Sequence, residues 1–176
     1  LFYNLFIYLG VREKSYLDYV LFIAALTLIQ LDVNKFSFEY LWPESPWWSM
    51  RSVPVLVSLS VILCVRFVVN FLDTARFVPR IDSFLRWCRL LSFPGLIIPL
   101  FTPHKVAAVY CLGLAGVGIV GCLIATAYVA RQGYGPARFF LLAWGAMLFG
   151  AVTLILRNFQ VLPVSPVTTY GLQIGI

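Results

Sequence analysis

A single histidine, His104, and four cysteines, Cys64, Cys88, Cys111 and Cys122, with no Cys-x-x-Cys pair among them, leave no spacing from which a metal site of the usual His/Cys/Asp type can be built. The lone histidine also has no Ser and Asp partners in a recognisable motif, so no nucleophilic triad is legible. Carboxylates are scarce too. Glu13, Asp18, Asp32, Glu39, Glu44, Asp73 and Asp82 are the full set, and all fall in loops or near the ends of apolar runs. A proton-driven transporter keeps an ionisable carboxylate at depth, because a relay needs a group that changes charge there. Sodium-coupled transport through backbone carbonyls stays open. Gly113, Gly116 and Gly118 lie in an apolar run with no following Lys of phosphate-loop spacing, which excludes a nucleotide cradle. No catalytic residue, metal or cofactor is expected, and the segment is not read as an enzyme.

What fills the chain instead is hydrocarbon: 61% of the 176 residues are hydrophobic, 11% are charged and the mean hydropathy is +0.92. A soluble fold cannot hide that much apolar surface. No charge occurs between Arg89 and Lys105, between Lys105 and Arg131, or between Arg138 and Arg157. About 20 apolar residues cross a bilayer as a helix, so these runs read as membrane spans. The net charge of +6 does not imply nucleic acid, because the basic residues sit in short loops between spans rather than on one solvated face. The cysteines, all in or beside apolar runs, read as small core residues.

The spacing predicts an all-α integral membrane protein, a helical bundle with five complete and two partial transmembrane helices of a seven-helix domain, covering 1–176 as one unit. The first, partial span ends at Gly10 and is closed by the polar turn 11–15. The second covers 16–31, and a long loop, 32–52, carries Leu41-Trp42-Pro43-Glu44-Ser45-Pro46-Trp47-Trp48, whose prolines exclude a regular helix. The third covers 53–72. Arg76, Arg80, Arg86 and Arg89 then recur near helical intervals in 73–89, a segment expected along the membrane surface. A short fourth span, about 90–101, must begin within the preceding arginines, and it holds Pro94 and Pro99, tolerated where neighbouring helices cover the freed carbonyls. The fifth ends near Ala130, followed by a Gly-rich turn at 131–136. The sixth runs to about Leu156, and a seventh begins at Tyr170. Because the chain starts and stops inside apolar segments, it is expected to be an excerpt of a longer chain.

Alternate loops divide the cations eight against four. Arg12, Lys14, Arg76, Arg80, Arg86, Arg89, Arg131 and Arg138 fall on one side, and Lys35, Arg51, Lys105 and Arg157 on the other. The positive-inside rule makes the first side cytoplasmic, with the amino terminus outside and the carboxyl terminus inside. Trp42, Trp47 and Trp48 then sit at the outer interface, a position that suits an amphipathic indole. In the fifth span Gly118, Cys122, Thr126 and Ala130 recur every fourth residue, a face suited to close helix packing.

Arg66 is the one charge inside a span. It lies six residues before Leu72, roughly 9 Å from the cytoplasmic end, within reach of a snorkelling side chain. Snorkelling, structural pairing with Asn70 one turn later, and membership of an internal network coupling helices all remain open. At the outer face Trp47, Trp48, Arg51, Arg157, Asn158 and Tyr170 gather polar and aromatic groups that could meet a ligand. Arg157 and Asn158 could equally cap the sixth helix. His104 reads as an interfacial loop residue.

Five short stretches carry a resemblance to a known family. Tyr3-Asn4-Leu5-Phe6, Tyr40-Leu41-Trp42-Pro43, the run from Arg131 to Arg138 and on through Phe139-Phe140, Leu156-Arg157-Asn158-Phe159-Gln160-Val161-Leu162-Pro163, and Tyr170-Gly171-Leu172-Gln173-Ile174-Gly175 together resemble bacterial seven-transmembrane receptors with diverse intracellular signalling modules. The resemblance spans the whole chain. It implies a sensor and transducer in the bacterial inner membrane, relaying an extracytoplasmic stimulus to a cytoplasmic output through helix repacking. It also implies an N-terminal periplasmic sensor domain and a C-terminal module such as a histidine kinase or cyclic-di-nucleotide enzyme in the same chain. The lipid bilayer is the immediate partner, and receptors of this kind commonly work as homodimers. The alternative is a small-solute transporter or channel, which needs a continuous polar lining; a purely structural anchor is the third reading.

Overall fold

The computed structural model describes residues 14–145 together with 5, 6 and 10, and among these every regular element is helical. The elements are α1 (Lys14–Val33), α2 (Phe36–Tyr40), α3 (Pro46–Ser49), α4 (Ser52–Leu72), α5 (Thr74–Phe77), α6 (Pro79–Ser92), α7 (Pro94–Phe101) and α8 (His104–Arg131). Four stretches, Ser15–Val33, Ser52–Leu72, Pro79–Phe101 and His104–Arg131, are long and apolar enough to cross a membrane. In hydrocarbon only a helix satisfies its own backbone within one segment, so valine-rich runs such as that of α4 are helical despite modest propensity. The chain divides into two compact units, Leu1–Ala125 and Thr126–Ile176.

In the first unit α4 is the central helix, packed against α1, α6 and α7. It buries residues on more than one face, among them Ser52, Ser58, Val61, Cys64, Val65, Val68 and Leu72. Its start tolerates Pro54 because first-turn amides have no intrahelical acceptor. Its end is a left-handed Asp73, φ 47°, whose N–H returns to the Val69 carbonyl. Another left-handed residue, Lys35 at φ 68°, follows the end of α1. Lys14, Arg76 and Arg80 lie toward one end of these helices, and Asp32, Ser52 and the tryptophans toward the other, here the arginine end and the tryptophan end.

Two expectations need revision. The segment carrying Arg76 to Arg89 does not form a separate surface stretch before a short span. The helical run begins at Pro79, broken only at Phe93, and α6 packs on α4 with Leu85, Cys88 and Ser92 buried while Arg80, Arg86 and Arg89 stay exposed. Asp82 anchors its start, accepting from Thr74 Oγ1 at 2.6 Å and Arg86 Nε at 2.7 Å. The loop after α1 also contains short helical turns, α2 and α3, although its prolines do keep a long helix out.

The break and the prolines of the fourth span leave carbonyls without their usual donors: Leu90, which Pro94 cannot serve, accepts from Phe93 N–H at 3.2 Å, and α8 approaches two others. Pro99 cannot donate to the Gly95 carbonyl, toward which the Cys111 Sγ points at 3.9 Å. At the break before Pro94, Tyr110 Oη donates to the Leu91 carbonyl at 2.5 Å. Ser58 of α4 completes the junction by donating to Cys111 Sγ at 3.2 Å. Glycine is required at Gly95, since a Cβ there would overlap Ser58 Oγ and lie 3.1 Å from Ser58 Cβ. The small-residue face of α8 packs as expected: a Cβ at Gly121 would meet Phe84 at 2.9 Å and Leu85 at 3.1 Å, and Gly118 faces Val61. All four cysteines are buried, and none forms a disulfide. Cys64 contacts Cys122, with Cys88 nearby, where α4, α6 and α8 meet.

In the second unit Gly133, at φ 89°, makes the turn after α8, and a helix follows from 135, described to 145. Within it the Phe140 and Trp144 rings lie 5.3 Å apart. Most of the first span, the rest of the sixth, and the seventh fall outside the described residues.

Gly95→Ala should lower stability by about 1–3 kcal/mol through overpacking, and adding Ser58→Ala should recover part of it. Tyr110→Phe should cost about 0.6–1.7 kcal/mol, the range for a hydrogen bond between membrane helices. Equilibrium unfolding in mixed detergent micelles measures both.

Candidate functional site

The helices α1 and α4 run antiparallel and are joined by polar groups at both ends. Near the arginine end Asp18, 0% exposed, forms an ion pair with Arg66, Nε to Oδ1 at 2.8 Å, and accepts a hydrogen bond on Oδ2 from Asn70 Nδ2 at 2.6 Å. Near the tryptophan end the buried Asp32 accepts a hydrogen bond from Ser52 Oγ. The two clasps are fourteen residues apart along α1, from Asp18 to Asp32, and fourteen apart along α4, from Ser52 to Arg66. That is about 21 Å on each helix and two heptads of turn, so one register satisfies both. Beside the Asp18 clasp Tyr19 packs on Phe67, which packs on Phe71, each pair with centroids 5.3 Å apart.

Arg66 therefore does two of the things its position allowed. Its side chain remains 47% exposed, and its Nε is fixed on a buried carboxylate. Asn70 is not its direct partner. Both reach Asp18, which the sequence reading had left among the residues near span ends. The missed signal was the equal spacing of Asp18 and Asp32 on one helix and of Ser52 and Arg66 on the next.

At the tryptophan end the structure brings Trp47, Trp48 and Arg51 together. The Arg51 guanidinium lies 4.5 Å from the Trp47 ring centroid and donates to the Trp47 carbonyl at 3.2 Å, while Trp42 meets Trp48 edge-on at 6.3 Å. Beside this cluster opens a cavity of about 780 Å³, lined by Asp32, Val33, Lys35, Ser49, Met50, Val53 and His104. Its size is that of a small-molecule site. None of Trp47, Trp48 and Arg51 lines it, and sequence reasoning did not single out its polar members Asp32, Lys35 and His104 as one group. Arg157, Asn158 and Tyr170 fall outside the described residues. Asp32 belongs both to the cavity wall and to the clasp of α1 and α4 at the tryptophan end, so whatever occupies the cavity meets a group that sets helix register.

Among the described residues no group of His, Cys, Asp or Glu could hold a metal ion.

A family model described as 7TM diverse intracellular signalling matches residues 1–176. Of the curated proteins and the solved structures compared with the chain, none matches.

Arg66→Ala strands a fully buried carboxylate and should destabilise the bundle by about 1–3 kcal/mol, the lower part of the range reflecting Arg66's exposure. The double replacement Asp18→Leu with Arg66→Met should return most of that loss, as removing both members of a buried pair usually does. Reversible unfolding of the four variants of the cycle measures the coupling; an Arg66→Ala protein as stable as the parent would mean that the guanidinium only snorkels.

Proposed function

Because this chain belongs to the 7TM diverse intracellular signalling family, a group of membrane signalling domains, we propose that residues 1–176 form a sensor and transducer that relays an extracytoplasmic stimulus to a cytoplasmic output module by repacking its helices. The observation that carries the proposal is the pair of clasps between α1 and α4. A stimulus at the tryptophan end that disturbs Asp32 and Ser52 changes the register on which Asp18, Arg66 and Asn70 depend about 21 Å away. Hydrogen bonds between membrane helices are worth about 0.6–1.7 kcal/mol each. Two such clasps make a bias of the same order as typical allosteric couplings, about 1–3 kcal/mol. They are strong enough to hold one arrangement and weak enough for a ligand to overturn it.

Orientation follows from charge. With eight loop cations against four, the arginine end faces the cytoplasm of a bacterial inner membrane, the amino terminus lies outside and the carboxyl terminus inside. In this reading the seventh span carries the change to the output module, which supplies any catalysis, and a periplasmic domain of the same chain and a second copy of it are the partners. The small-solute transporter finds less support, since the paired buried carboxylates Asp18 and Asp32 sit near opposite ends of α1 rather than along a path.

In the full-length chain with its native cysteines replaced, Asp32→Cys and Ser52→Cys should crosslink α1 to α4 on oxidation and hold the output in one state, a lock that reduction releases. Output that ignores the crosslink would sink the proposal. Solute flux in proteoliposomes that disappears with Arg66→Ala would move the function to transport.

A further inference from the structure

The cavity at the tryptophan end has a lining that selects for charge pattern. Asp32 is held in its wall with Oδ2 engaged by Ser52, which leaves Oδ1 free to take a donor from a ligand. Lys35, whose left-handed backbone closes α1, and His104, which opens α8, bring a cation and an imidazole to the same cavity from two different elements. Val33, Met50 and Val53 supply apolar wall. A simple cation would meet Lys35, and a simple anion would meet the Asp32 carboxylate, each a like-charge contact that costs affinity. A ligand carrying both an ammonium and an oxyanion, with an apolar group beside them, offends neither.

We propose that this cavity is a binding site for a small zwitterion of that kind, its ammonium on Asp32, its oxyanion against Lys35 and His104, and its apolar part over Val33, Met50 and Val53. A free amino acid and the headgroup of an ethanolamine phospholipid share this chemistry. As the stimulus of the receptor proposed above, the site rests on that reading, but its occupancy does not depend on signalling and is measured separately. An ammonium on Asp32 Oδ1 bears on the same carboxylate whose Oδ2 holds Ser52, which is how occupancy reaches the helix register.

The test uses the full-length chain in nanodiscs made only of phosphatidylglycerol, with tritiated L-leucine as the probe. Saturable binding is expected, competed by unlabelled leucine and at least about tenfold less well by 3-methylbutylamine, which lacks the carboxylate, and by 4-methylpentanoate, which lacks the ammonium. Lys35→Ala and His104→Ala, both exposed positions, should weaken leucine binding without lowering the unfolding midpoint. Asp32→Asn, which can still accept from Ser52, should abolish it. No leucine binding, together with a melting temperature raised by phosphatidylethanolamine in the parent but not in Lys35→Ala, assigns the site to the lipid headgroup. Absence of both effects overturns the site, as does equal competition by the amine and the acid. A protein that binds leucine but whose output ignores the Asp32–Ser52 crosslink would keep the site and refute the transducer; the reverse pair of results would do the opposite.

Discussion

Hydrocarbon offers no hydrogen bonds, so each polar group that enters it must bring or find its own partner. In this bundle that requirement is met mainly on and around α4. Ser52, Ser58, Arg66 and Asn70 are its polar side chains that reach other helices, and they reach Asp32, Cys111 and, twice, Asp18. Apolar packing alone would let two valine- and leucine-rich helices slide, since lipid chains and side chains are nearly equivalent surroundings. The clasps at the two ends of α1 remove that freedom, because a slip of one turn would leave two carboxylates unpaired at once.

The same rule explains how a proline-broken helix survives in the fourth span. A proline frees the carbonyl one turn earlier, and in water solvent would cover it. Here Cys111 of α8 faces the Gly95 carbonyl that Pro99 frees and Tyr110 takes the Leu91 carbonyl at the break, and α8 can come close enough because residue 95 has no Cβ. The break at Phe93 is thereby tied to two neighbouring helices rather than left as an independent hinge. Buried thiols at the meeting of α4, α6 and α8 complete a core whose polar atoms are few and whose interhelical contacts are made largely by small side chains.

A transducer needs two arrangements close in free energy, and an interior sealed by many strong ion pairs would have only one. The described residues show two salt bridges, Arg66 with Asp18 and Arg86 with Asp82, each with a guanidinium about half exposed. Their worth is reduced by that exposure. A few interactions of this size, set at defined heights along one helix pair, suit a switch better than a rigid scaffold.

Composition and periodicity by themselves determined that this chain is a helical membrane bundle, where its second, third and fifth spans lie, that 131–136 turns, and that the cysteines and the small residues of α8 are packing groups. Those features follow from solvent preference and helical period, which are properties of each segment alone. The start of the fourth span at Pro79, the burial of Asp18, Asp32 and Asp82, and the assembly of Asp32, Lys35 and His104 around one cavity were decided by the tertiary structure. A carboxylate near a span end looks the same in sequence whether it meets water or a guanidinium fifty residues away. Only the register of α1 on α4 says which, and that register is a property of the pair.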